Sequence, residues 1–177
     1  MLGMVFTEFC SMVEKEFSAD MVDDIIEMSD LPSGGAYTSV GYYSHQEMLS
    51  LVSSLSHKTG IPAPELVRLF GIRLFDFFTE NYPQFFVGCS GSFEFLETID
   101  NHIHAEVRKL YPNAAPPSFE FLSEKPGVAK LIYRSNRPFA DLAEGLILGC
   151  ADYFGEKIAL DRRLEEDGSV LFVAELL

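Results

Sequence analysis

The chain lacks any apolar run near the ~18–20 residues that a membrane span needs, and no basic-then-apolar leader opens it. A bilayer-crossing helix is therefore not expected, and a cytoplasmic protein is. Positive charge is also scarce: 13 Lys and Arg stand against 27 Asp and Glu, for a net charge of −14. Nucleic acid and anionic membrane surfaces are polyanions, so neither is expected as a partner. Cysteine is limited to Cys10, Cys89 and Cys150, with no Cys-x-x-Cys spacing. Neither a disulfide framework nor a zinc site is indicated, and the thiols read as free and buried. Internal repeats and low-complexity tracts are absent. What the chain has is apolar bulk: 177 residues, 47% hydrophobic, with 16 Phe. That suffices for one domain with a sizeable core and apolar material to spare for a pocket.

Apolar positions Val5, Phe6, Phe9, Met12, Val13 and Phe17 recur at helical spacing, predicting a helix over 2–17. A second helix is expected over 19–29, ended by Leu31-Pro32-Ser33-Gly34-Gly35. Ser44 with Glu47 reads as a capping box opening a helix that runs to about His57 and stops at Gly60. Pro62 to about Glu80 reads as a longer helix with Leu66, Leu69, Phe70, Leu74, Phe77 and Phe78 inward. A short helical piece over 82–87 and a strong helix over 92–111, closed by Pro112, follow. Then the character changes. A hairpin over 118–123 and 128–135, a helix from Pro138 to Phe154, and strands over 157–164 and 169–176 complete the chain. The predicted class is α+β, with a helical N-terminal part and a small four-stranded antiparallel sheet.

Tyr133-Arg134-Ser135-Asn136-Arg137 carries the clearest chemical signal. On an extended strand, Tyr133, Ser135 and Arg137 project to one face. A phenol, a hydroxyl and a guanidinium together can donate to carboxylate or phosphate oxygens. In a chain this acidic, Arg137 brings positive charge to an anion. Of the four histidines, His102 and His104 lie on the helix predicted over 92–111. They sit about 200° apart on a helical wheel, flanking the stripe of Leu96, Ile99, Ile103, Val107 and Leu110 on opposite edges. Periodicity leaves the choice between them open.

Tyr-x-Ser-x-Arg is preceded by Ile103-His104-Ala105-Glu106-Val107-Arg108-Lys109-Leu110-Tyr111-Pro112 and Pro116-Pro117, and followed by Ala143-Glu144-Gly145-Leu146-Ile147-Leu148-Gly149. With the opening Met1-Leu2-Gly3-Met4-Val5-Phe6, these segments resemble the haem nitric oxide/oxygen binding (H-NOX) family along essentially the whole chain. The resemblance implies a single domain over 1–177, helical over about 1–62 and haem-ligating and sheet-containing over about 63–177. It implies haem b between these lobes, His104 as the axial iron ligand, and Tyr133, Ser135 and Arg137 clamping the propionates. Pro117 matches the proline that presses on the porphyrin. His45 stands where some relatives have an acidic partner for the clamp arginine. Some relatives also carry a Cys/His cluster near the C-terminus; residues 161–168 here do not.

Oxygen-holding members use a distal tyrosine. The matching position is Leu142, and its supporting positions are Phe9 and Leu74, with Val5, Phe78 and Leu146 completing an apolar wall. The implied protein is a sensor of nitric oxide, binding carbon monoxide too and excluding oxygen, and not an enzyme. It signals by weakening the His104–iron bond to a separate partner, a histidine kinase or a cyclic-di-GMP-metabolising enzyme. Two alternatives are an oxygen-binding haem sensor with Tyr82 or Tyr153 as donor, and a haem-free module for lipophilic ligands. A peroxidase needs a distal acid/base group that this wall does not offer. Gly91-Ser92 lacks the context of a hydrolase nucleophile.

Overall fold

A computed structural model describes the backbone of residues 1–177 and the side chains of all except residues 123 and 124. The first helix, α1 (Gly3–Glu16), turns Phe6, Phe9, Met12 and Val13 inward, the stripe its spacing predicts. Ser18 caps α2 (Ala19–Met28), its hydroxyl accepting from the Met21 amide at 3.1 Å. Ser44 caps α3 (His45–Thr59) through the Gln46 amide at 3.2 Å, and Gly60, left-handed at φ 73°, ends it. The reciprocal half of the capping box does not form. The Glu47 carboxylate is buried and accepts instead from the Ser33 hydroxyl and, at 3.0 Å, from the Tyr37 hydroxyl. Those donors come from the 31–43 loop, so a tertiary contact outbids the local one.

Helix α4 (Ala63–Asn81) is followed by a 3₁₀ turn (Pro83–Phe86). The stretch predicted as one helix over 92–111 is continuous but not uniform. It comprises α5 (Ser92–Thr98), a π-helical turn (Ile99–Ile103) and α6 (His104–Leu110). Strands β1 (Ser118–Lys125) and β2 (Val128–Arg134) form the expected hairpin. Helix α7 (Ala140–Tyr153) leads to β3 (Ile158–Leu164) and β4 (Val170–Leu176). The sheet is antiparallel in the order β1-β2-β4-β3. Helices followed by a four-stranded antiparallel sheet make the α+β class that the sequence predicts.

Two apolar cores meet on α4. One gathers Phe6, Phe9, Val13, Met48, Leu51, Phe70 and Leu74. The other gathers Phe75, Phe95, Leu131, Ile147 and Phe172 beneath the sheet. Helices α4 and α7 cross backbone to backbone: a Cβ added at Gly145 would stand 2.9 Å from Gly71 Cα and closer still to the Arg68 carbonyl. Beside this crossing, Arg68 Nε is 2.8 Å from Glu144 Oε1, though too poorly aligned for a hydrogen bond. Arg162 of β3 reaches the same Glu144 at 3.0 Å and Asp141 at 2.5 Å. Among the described residues, no helix is long and apolar enough to cross a membrane.

Candidate haem site

Between the two cores lies a cavity of about 290 Å³. Met4 and Val5 of α1, and Leu74, Phe78 and Tyr82 from α4 and its C-cap, form one side. Leu142, Ala143 and Leu146 of α7 continue that wall. His104, Pro117, Phe119 and Tyr133 stand in the remaining wall, with Ser135 and Arg137. Of the residues expected from sequence, Val5, Leu74, Phe78, His104, Pro117, Tyr133, Ser135, Arg137, Leu142 and Leu146 thus converge on one space. Phe9 does not line it. Its ring is fully buried in the N-terminal core, edge-on to Phe70 at 5.3 Å, so it stands behind the wall as packing.

The two histidines that periodicity left open differ in position. His102 is exposed, its ring edge-on to Phe85 at 6.0 Å, whereas His104 lines the cavity with its side chain 15% exposed. Burial lowers the His104 pKa, opposed by a contact from Nδ1 to Asp100 Oδ1 at 3.3 Å and by the Pro117 carbonyl. The ring is therefore favoured as neutral imidazole, the form that binds metal.

Tyr133 is buried on β2, opposite Phe119 of β1. Burial raises its phenol pKa, against the Ser135 hydroxyl and the nearby Arg137 charge. The period-two argument for the clamp fails past Arg134, where the strand ends. A turn brings the group together instead, with the Arg137 amide donating to Ser135 Oγ at 3.1 Å. Arg68, Arg73, Arg108, Arg134, Arg162 and Arg163 each have a carboxylate oxygen within 4.0 Å. Among the described residues, Arg137 has none. His45 offers it no partner; it stacks edge-on to Phe139 at 6.4 Å and contacts Gln46.

This donor set suits haem. A guanidinium that has no carboxylate partner among the described residues, beside a buried phenol and a hydroxyl, offers donors of the kind that carboxylates such as propionates accept from. Among the described residues, no group of three His, Cys, Asp or Glu could hold a bare metal ion. A lone imidazole in an apolar wall fits a metal that arrives inside a larger apolar ligand.

Sequence reasoning missed three wall or support residues. Phe119 lies two positions after Pro117, with its ring 6.1 Å from His104 and 5.2 Å from Tyr133. Strand periodicity from its β2 partner Tyr133 could have found it. Asp100, four residues before His104, was accessible from helical spacing. Met4, whose sulfur accepts from the Tyr82 hydroxyl at 3.7 Å, carried no signal. Of the two alternative donors, Tyr82 lines the cavity, while Tyr153 lies outside its wall and is half exposed.

Known proteins resemble this chain along most of its length. The family model described as haem-NO-binding matches residues 2–162. The structure of the Fe(II) unliganded H-NOX protein from K. algicida superposes with a TM-score of 0.93 at 35% identity, covering 100% of this chain and 97% of that one. The IWP-051-bound, Fe(II)CO-state H-NOX from Shewanella woodyi is 43% identical, with a TM-score of 0.85, over 99% of this chain and 94% of that one. The soluble guanylate cyclase gcy-35 of Caenorhabditis elegans is 26% identical over 140 residues, 77% of this chain. The matched region spans only 20% of that cyclase. With a family model matched over 2–162 and likenesses of 35% and 43% identity along nearly the whole chain, the chain belongs to the haem-NO-binding family of gas-sensing domains.

Proposed function

We propose that this protein senses nitric oxide at ferrous haem b, binds carbon monoxide there, excludes oxygen, and signals through the helix that carries His104 to a separate protein. The observation that carries the reading is Arg137, which has no carboxylate partner among the described residues, standing with Tyr133 and Ser135 in the same cavity as His104. Cys10, Cys89 and Cys150 are not among the residues that line the cavity, in keeping with haem held without thioether links. Burial raises the pKa of all three thiols, to about 11 for Cys10, so they stay protonated and make poor nitric oxide or redox targets.

When bound, haem would supply a ferrous iron that His104 would hold, able to take a diatomic gas and, with nitric oxide, to bind that histidine less firmly. The chain's residues do the rest. Tyr133, Ser135 and Arg137 would hold the propionates, and Pro117 would press on the porphyrin. Val5, Leu74, Phe78, Leu142 and Leu146 offer no N–H or O–H to a polar ligand, which disfavours oxygen. Loss of that hold on His104 would let α6 shift relative to the N-terminal lobe. A partner that binds the two arrangements unequally reads the change, and that difference in affinity bounds the response. A histidine kinase or a cyclic-di-GMP-metabolising enzyme fits this role.

The cradle is tested by comparing iron protoporphyrin IX with its dimethyl ester, and by Arg137→Ala. Losing charge-assisted hydrogen bonds worth about 1.5–3 kcal/mol each corresponds to haem leaving roughly 10–100 times faster in either case. Equal retention of acid and ester would show that the carboxylates are held elsewhere.

The oxygen-holding alternative keeps one specific support, because Tyr82 lines the cavity. Its proton, however, is given to Met4 Sδ. Tyr82→Phe is therefore expected to leave the response of the reduced protein to air unchanged. Loss of an oxygen complex in that variant would establish Tyr82 as the donor and favour the alternative.

A further inference from the structure

The π-helical turn at Ile99–Ile103 lies immediately before His104, and it changes what Asp100 can do. In an α-helix the His104 amide would donate to the carbonyl of Asp100, four residues back. Here it reaches one residue further, to the Ile99 carbonyl. The Asp100 carbonyl, which does not receive that amide, accepts from Arg108 Nη2 at 3.3 Å. The same Nη2 stands 4.0 Å from Asp100 Oδ1, so one guanidinium holds both the backbone and the carboxylate of this residue. Held in that way, Oδ1 lies 3.3 Å from His104 Nδ1.

A neutral imidazole carries one proton. The Asp100 carboxylate stands within hydrogen-bond distance of Nδ1, and the Pro117 carbonyl also acts on the ring. An ionised carboxylate is the stronger acceptor, and a proton kept on Nδ1 leaves the Nε2 lone pair for metal. Such a partner also fixes the ring's orientation and raises its basicity as a ligand.

We propose that Asp100, held by Arg108 at the π turn, is the positioning residue that orients His104 and sets how firmly its imidazole grips iron, and hence how readily nitric oxide detaches it. The proposal rests on His104 being the iron ligand. Its chemistry is a proton shared between Nδ1 and Oδ1, with no bond made or broken at Asp100. Raising the donor strength of His104 slows its release; removing the carboxylate speeds it.

The test is resonance Raman spectroscopy of the reduced, haem-loaded protein, with stopped-flow absorption after mixing with nitric oxide. Asp100→Asn and Asp100→Ala are compared with the parent, with His104→Gly as the reference for the ligand itself. The iron–histidine stretching band is expected to move to lower frequency in Asp100→Asn and further in Asp100→Ala. Histidine release on nitric oxide binding should be roughly 10–100 times faster in Asp100→Ala, the usual scale of a second-sphere change. Haem content read from the same samples separates this from a folding failure, and Asp100→Asn, nearly the same size, keeps the test open if the alanine variant misfolds. If His104→Gly abolishes the band while both Asp100 variants leave frequency and release rate at parent values, Asp100 does not act and Pro117 is the ring's partner. If His104→Gly keeps the band, the assignment of the ligand fails first.

Discussion

Replacing His104 with glycine is expected to abolish histidine-ligated ferrous haem, with imidazole added to the buffer restoring the parent absorption spectrum. Several independent features converge on this side chain. It lines the cavity, burial favours its neutral form, and Asp100 meets its Nδ1. Loss of the ligand itself should exceed the roughly 10–100-fold effect of losing second-sphere support. Free imidazole can fill the space and bind iron, but it is not tethered to α6. In the rescued variant, nitric oxide should still displace the base while the response of α6 is lost. Haem absorption measures the first part; hydrogen exchange over residues 92–110 measures the second. An unchanged spectrum without imidazole would place the ligand elsewhere, with His102 the nearest candidate in sequence.

Gly145→Val is expected to be strongly destabilising, although it lies outside the cavity wall. Its Cβ would sit 2.9 Å from Gly71 Cα and closer still to the Arg68 carbonyl, so backbone rather than a flexible side chain must give way. Overpacking of this kind costs about 1–3 kcal/mol, and the rigid neighbours put this case at the upper end. For a chain of this size that corresponds to a loss of roughly 6–12 °C in Tm. The lower backbone entropy of valine offsets well under half of it, at about 0.5–1 kcal/mol. Separating the helices also widens the cavity, because α4 carries Leu74 and Phe78 while α7 carries Leu142 and Leu146. Thermal melting monitored by circular dichroism checks the first effect. A melting point within a degree of the parent would mean that the two helices can part freely.

Much of this architecture is legible in the sequence, for reasons that differ by element. Helix α1 and the two hairpins declare themselves through local spacing and turn residues, because one face of each is buried and the other is not. Tyr133, Ser135 and Arg137 could be grouped by chemistry, although what unites them is a turn beyond the strand end and not the strand's pleat. Helical periodicity assumes a constant 100° per residue, so it misses the π turn and with it the Arg108 contact to the Asp100 carbonyl. Glu47 looked like half of a capping box because its real partners, Ser33 and Tyr37, arrive from a loop that no local pattern connects to it. Phe9 is apolar and on the right helix, yet only packing decides whether such a ring faces the cavity or Phe70 behind it. The Gly71–Gly145 crossing is likewise invisible until α4 and α7 meet.

The most direct test of the central claim is absorption spectroscopy of the purified protein, reduced without air and then exposed separately to air and to nitric oxide. The account predicts a histidine-bound ferrous spectrum that forms no oxygen complex and converts with nitric oxide to a form that has lost the histidine. A stable oxygen-bound spectrum, or failure to take up haem at all, would contradict it.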